Sequence, residues 1–252
     1  MNEPGYCPRS RPPGRGARWL LFVVCAVTQA AANAGETVFE QAVSEAIRNN
    51  DSAFLAHAID DDAPLPELTA SDGKTVLMAA CADDNLALVD RLLAAGADVR
   101  VHNERGGTAL MYAAAAGSEA IVSRLIDTGA DIDFRAENGW TALTLASAKG
   151  HAHVVSALLA RGADPNIPDV FGYTALMRAA QNGRRDAVGT LLESPRTSLV
   201  QINTSGRRAL EVARESGHCD ITNDLQRAAA LRGVDAQRFR DSGNVRIESC
   251  DE

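Results

Sequence analysis

Five histidines, His57, His102, His151, His153 and His218, and five cysteines are the side chains of this 252-residue chain best suited to ligate a metal or act as nucleophiles. Among the histidines, only His151 and His153 lie close together in the sequence. Residues i and i+2 do not share a helix face, whereas helical zinc sites use i and i+4. No cysteine or carboxylate set completes four ligands around them. The run Asp60-Asp61-Asp62 lacks the spaced ligands and glycine of a calcium loop, so it reads as a solvated acidic loop. The sequence contains no G-x-S-x-G, no H-E-x-x-H and no phosphate-cradling glycine loop. It therefore predicts no cofactor, no metal and no catalytic residue. A metal or redox enzyme built on the histidines or Cys219 is the reading these spacings disfavour.

The first segment reads as an address. Residues 1–18 carry Arg9, Arg11, Arg15 and Arg18 against Glu3, an apolar run follows from Trp19 to about Val27, and Ala32-Asn33-Ala34 closes the segment. A basic region, a short apolar region and an A-x-A site make a secretory signal peptide, here 1–34, with cleavage expected after Ala34. The apolar run contains Thr28 and Gln29 and falls short of the ~20 apolar residues of a membrane span. Val24 before Cys25 argues against lipoprotein processing. Removing 1–34 takes away four bases and one acid, so the net charge moves from −8 to −11. The mature chain is then expected to be soluble, acidic and outside the cytoplasm, with no membrane insertion. Lys74 and Lys149 are the only lysines among 25 basic residues. That arginine bias, with abundant alanine, resembles a GC-rich bacterium and predicts the periplasm. The acidic balance excludes nucleic acid as the main partner, because phosphate binding needs a positive field.

The remaining chain repeats. Gly73-Lys-Thr-Val-Leu77, Gly106-Gly-Thr-Ala-Leu110, Gly139-Trp-Thr-Ala-Leu143, Gly172-Tyr-Thr-Ala-Leu176 and Gly206-Arg-Arg-Ala-Leu210 align, with their glycines 33, 33, 33 and 34 residues apart. Each opens an Ala-rich helical pattern. A second glycine follows at Gly117, Gly150, Gly183 and Gly217, then apolar residues at helical spacing such as Val154, Val155, Leu158 and Leu159. Gly96-Ala-Asp98, Gly129-Ala-Asp131 and Gly162-Ala-Asp164 close three units. Thr75, Thr108, Thr141 and Thr174 are placed to cap the first helix, and the second glycine to end it. One unit cannot bury its own apolar face, so stability must come from stacking.

This pattern resembles the ankyrin repeat family over about residues 70 to 228. The resemblance implies an all-α solenoid of stacked helix-turn-helix units with projecting loop tips. It divides the chain into a degenerate N-terminal capping repeat at 35–69, full repeats at 70–102, 103–135, 136–168 and 169–202, and a C-terminal capping repeat at 203–232. Residues 233–252 lack periodicity and read as a flexible tail. Gly150-His151 and Gly217-His218 fall on the family's Gly-His position, where the ring is structural. Asp84 stands where the neighbours carry glycine and is expected to cost local stability. Cys81 reads as a buried small side chain four repeats from Cys219, beyond disulfide reach. Cys219, expected to face solvent, and Cys250 in the tail could pair in an oxidising compartment, or bridge between chains.

Ankyrin proteins generally bind other proteins through their loop tips and the adjoining helix ends, so the resemblance implies a protein partner. The tip positions include Glu104, Arg105, Glu137, Asn138, Trp140, Phe171, Tyr173 and Arg207, and the helix ends include Lys149 and Asn182. Aromatics make up only 4% of the chain, yet Trp140, Phe171 and Tyr173 fall on two neighbouring tips. They are expected to form one continuous apolar patch, rimmed by Glu137, Asn138 and Arg105, that anchors the partner. The expected function is a non-catalytic protein-binding module. An inhibitor or immunity protein that occludes an enzyme or toxin is the alternative.

Overall fold

A computed structural model describes residues 38–60 and 69–234. The predicted signal peptide, most of the acidic loop from Asp60 to Pro66 and the tail from 235 onward lie outside the described residues. Twelve helices and no strands occur among the described residues, so the fold is an all-α solenoid. They are α1 (Val38–Asn49), α2 (Ser52–Asp60), α3 (Val76–Ala82), α4 (Leu86–Ala94), α5 (Ala109–Ala116), α6 (Glu119–Asp127), α7 (Ala142–Lys149), α8 (Ala152–Ala160), α9 (Ala175–Gln181), α10 (Arg185–Glu193), α11 (Ala209–Glu215) and α12 (Cys219–Leu231).

Each pair forms for local reasons. Thr75, Thr108, Thr141 and Thr174 cap α3, α5, α7 and α9, their hydroxyls accepting the N–H three residues on at 3.2, 3.3, 3.2 and 3.4 Å. Arg208 has no acceptor to offer α11, and there the Glu211 carboxylate takes the Arg208 N–H at 2.8 Å instead. Between α3 and α4, Asp84 adopts φ +54°, the left-handed state its neighbours fill with glycine. That conformation costs a non-glycine residue about 1–2 kcal/mol. The Ser118 hydroxyl of the next repeat donates to the Asp84 carboxylate and offsets part of it.

Alanine decides the stacking. Ala79, Ala80, Ala113, Ala114, Ala146, Ala179, Ala180 and Ala213 are fully buried where the inner helices α3, α5, α7, α9 and α11 lie against one another. Their small side chains let neighbouring backbones approach, so the inner row packs densely. The outer helices supply the bulk. Leu88, Ile121, Leu125, Leu158 and Leu191 are fully or almost fully buried between the two rows. Exposed ion pairs link successive outer helices: Arg124 to Asp90 at 2.8 Å, Arg161 to Asp127 at 2.6 Å and Arg185 to Asp224 at 2.7 Å.

At the start of the chain, α1 buries Val43, Ala46 and Ile47 and exposes Gln41, Glu45 and Arg48. Lys74 Nζ donates to Asn50 and Ser52 donates to Asp83, fastening α1 and α2 to the first full repeat. At the other end Gly233, φ +64°, terminates α12, and Val234 packs back on the core. Residues 233–234 thus belong to the helix stop rather than to a tail.

The loop tips stack as a backbone ladder. Glu104 N–H donates to the Asp72 carbonyl at 2.9 Å, Glu137 to Arg105 at 3.1 Å, Val170 to Asn138 at 3.1 Å and Thr204 to Phe171 at 3.0 Å, one bond per step. The steps are tight. A Cβ on Gly139, φ +78°, would lie 2.8 Å from the Asp169 Cα. Only glycine meets both demands there.

Candidate functional site

Tip shape is fixed by one Asx side chain per loop. Asn103, Asp169 and Asn203 are buried, and each turns its Oδ1 onto the N–H groups two and four residues ahead, at 2.7–3.0 Å. Ala70 and Ala136 hold the same place in the other two tips. There Asp72 and Asn138 accept the Lys74 and Trp140 N–H groups instead, at 3.1 and 3.0 Å. Two solutions of one loop therefore occur along the molecule, the buried Asx in three tips and the exposed one in two.

The fixed tips present a row of equivalent positions: Lys74, Gly107, Trp140, Tyr173 and Arg207. Four residues carry a long side chain and Gly107 carries none. That gap in the row opens a groove of about 500 Å³ between the second and third full repeats. Met111, Ala115, Ala136 and Leu145 line it with apolar surface, Tyr112 and Trp140 add two rings, and Arg105, Glu137 and Asn138 bring polar groups.

The rings are held by neighbouring side chains. Tyr112 OH accepts from Asn103 Nδ2 at 3.0 Å, and Lys74 Nζ lies 5.2 Å from the Tyr112 ring centroid. Lys74 is only 6% exposed, and burial pushes its pKa down against the opposing pull of Asp72. Burial and the Asp72 charge push the Tyr112 phenol up. On the far side the Arg178 guanidinium lies 5.3 Å from the Trp140 ring and 4.2 Å from Tyr173. Arg178 donates from Nε to the buried Asp169 carboxylate at 2.8 Å, pairs again through Nη2, and reaches Gln181 at 2.9 Å. The same spacing thus joins Asn103 to Tyr112 and Asp169 to Arg178. In the last repeat the matching position is Val212, and Asn203 Nδ2 has no partner among the described residues.

Comparison with family models matches ankyrin repeats over residues 28–136, 77–169, 117–199 and 162–232. The chain belongs to the ankyrin repeat family. No curated protein matches it. Within the ankyrin frame the groove lies between the tips and inner helices of two adjacent repeats. Arg105, Glu137, Asn138 and Trp140, singled out from the sequence, meet there. The expected continuous aromatic patch does not form. Arg178 stacks on both Trp140 and Tyr173, which are half-buried, and the ring contacts among the described residues join no two members of the trio. Phe171 stands apart, 60% exposed beside Val170.

The other sequence candidates are dispersed over the ankyrin surface. Glu104 is exposed on its tip, and Lys149 is exposed at the end of α7. Asn182 donates to the Ala148 carbonyl at 3.1 Å, and Arg207 pairs with Glu215. His151 and His218 donate from Nε2 to the Ala115 and Gln181 carbonyls of the preceding repeat, at 3.1 and 3.2 Å. Among the described residues no three His, Cys, Asp or Glu side chains group closely enough for a metal ion, and no helix is long and apolar enough to cross a membrane. Cys81 is free and buried, which pushes its thiol up. Cys219 opens α12 half-buried rather than fully solvent-facing and is disulfide-bonded, and Cys250 lies outside the described residues.

Sequence reasoning missed Asn103, Met111, Tyr112, Ala115, Leu145 and Arg178. Tyr112, Leu145 and Arg178 occupy one position of the 33-residue register, four residues after each capping threonine. Reading that column beside the tip column would have found them.

Proposed function

We propose that this ankyrin solenoid is a non-catalytic protein-binding module that docks a partner protein at its loop tips and inner helices, with the Gly107 groove at the centre. Ankyrin repeats generally mediate protein–protein interaction. The observation that carries the reading here is the groove itself. An apolar floor, two fixed rings and a mixed polar rim are what an interface anchor site requires. We further propose that the protein acts in the periplasm, on the strength of the signal-like residues 1–34. N-terminal sequencing of the exported protein would then begin at or near Gly35, and a chain retaining Met1 in the cytoplasm would end that claim.

Crosslinking in the intact cell envelope, followed by identification of the captured protein, tests the binding role. Trp140→Ala should weaken the captured partner by about 2 kcal/mol, and Glu137→Ala by less. Equal binding by wild type and Trp140→Ala would refute the site. The net charge of −8 and the acidic tip residues Asp72, Glu104 and Glu137 favour a basic partner. They keep open the second reading of an inhibitor that blocks an enzyme or toxin, which a complex that abolishes the partner's activity would identify.

A further inference from the structure

Both aromatic walls of the groove already carry a cation. Lys74 lies against Tyr112 from the first repeat, and Arg178 against Trp140 from the fourth. Neither cation lines the groove. An aromatic ring attracts a cation through the negative charge of its π-face. A ring engaged on one side offers less of that attraction on the other, and a second cation would be repelled by the first across the ring. Between the rings lies apolar surface from Met111, Ala115, Ala136 and Leu145.

Resting on the binding role above, we infer that the groove takes one uncharged apolar side chain, of leucine, methionine or phenylalanine, from an extended segment of the partner, and that it rejects lysine and arginine. A groove of about 500 Å³ has room for such a side chain with its flanking main chain. The rim is rich in donors. Tyr112 accepts from Asn103 and keeps its own proton for a guest carbonyl. Asn138 spends its Oδ1 on Trp140 N–H, leaving its amide NH₂ for the same use. Arg105 adds a third donor. A basic partner therefore places its positive residues over the Glu137 carboxylate at the rim and over Glu104 and Asp72 beyond it, not between the two rings.

The test is selection from a phage library of random 12-residue peptides on the full-length chain, with counter-selection on Gly107→Tyr. Position 173 shows that this register accepts tyrosine beside a buried Asx, because Tyr173 follows Asp169 as Gly107 follows Asn103. The expected clones share one leucine, methionine or phenylalanine. Replacing that residue by lysine in the peptide should weaken binding at least tenfold, and Lys74→Met in the protein should shrink that ratio at least threefold. Clones keyed by lysine or arginine overturn the inference, as does a ratio unchanged in Lys74→Met. So does a library yielding no peptide that the Gly107→Tyr chain fails to bind. The peptide substitution leaves the protein untouched, so that readout does not depend on how any variant folds. If basic anchors win while Trp140→Ala still abolishes capture of the cellular partner, the anchor chemistry falls and the binding role stands. Capture indifferent to Trp140→Ala removes the binding role itself.

Discussion

Asp169→Ala is the sharpest perturbation of this architecture. The Asp169 side chain is fully buried and Arg178 is 14% exposed. The carboxylate accepts from Phe171 N–H and Tyr173 N–H, both at 2.9 Å, and takes a two-pronged guanidinium contact. Stranding one partner of a buried pair costs about 3–5 kcal/mol, and each lost hydrogen bond to a charged acceptor about 1.5–3 kcal/mol. One carboxylate makes all of these contacts, so the losses overlap, and the single variant should lose about 3–5 kcal/mol. The preceding repeat shows how to repair it. Ala136, Asn138 and Leu145 occupy the three matching positions, with Asn138 Oδ1 holding the Trp140 N–H at 3.0 Å. Asp169→Ala, Phe171→Asn and Arg178→Leu together transplant that solution and should return stability to within about 1 kcal/mol of wild type. Urea unfolding followed by circular dichroism measures both. A single variant losing under 1 kcal/mol would show that the pair is not buried as described. A triple variant as weak as the single would show that the two tip designs are not interchangeable.

Three further outcomes follow from described geometry. Leu143→Ala and Leu158→Ala, at almost fully buried positions, should each lose about 2–5 kcal/mol in the same unfolding assay, and losses well under 1 kcal/mol at both would contradict the stacking. The Tyr112 phenol, raised from 10.0, favours the fold fully below that pH, and its contribution is lost as pH rises through the raised value. Absorbance titration at alkaline pH should therefore show a late-ionising tyrosine that disappears in Tyr112→Phe, and an unchanged curve would refute the burial. Peptide mapping by mass spectrometry under non-reducing conditions should find Cys219 joined to Cys250, and a free thiol at both positions would end that pairing.

The period, the threonine caps and the turn glycines were legible because each rests on one residue type at a fixed spacing, set by local backbone geometry. Asp84 was legible for the same reason, although the Ser118 hydroxyl that relieves it was not. The site was half legible. Arg105, Glu137, Asn138 and Trp140 do converge, because tips stack in register. Counting aromatics on the tips nevertheless misjudged Tyr173. A guanidinium from α9 reaches both rings, and that reach depends on side-chain direction off a helix rather than on tip composition. The groove escaped notice because it is made by what Gly107 lacks. Its lining includes Tyr112 and Leu145, which read as ordinary helix filling until the repeats are laid side by side.

The two long edges of the solenoid are fastened by different forces. Backbone bonds from tip to tip hold one edge, whereas exposed arginine–aspartate pairs join α4 to α6, α6 to the end of α8, and α10 to α12 on the other. Ions screen exposed pairs and leave buried bonds nearly untouched. Salt thus loosens one edge and spares the other, as moisture curls a bilayer strip. The superhelix should change its pitch with ionic strength by pivoting along the tip line, and small-angle X-ray scattering would register the change in length. The groove lies beside that pivot, among the bonds that salt leaves in place.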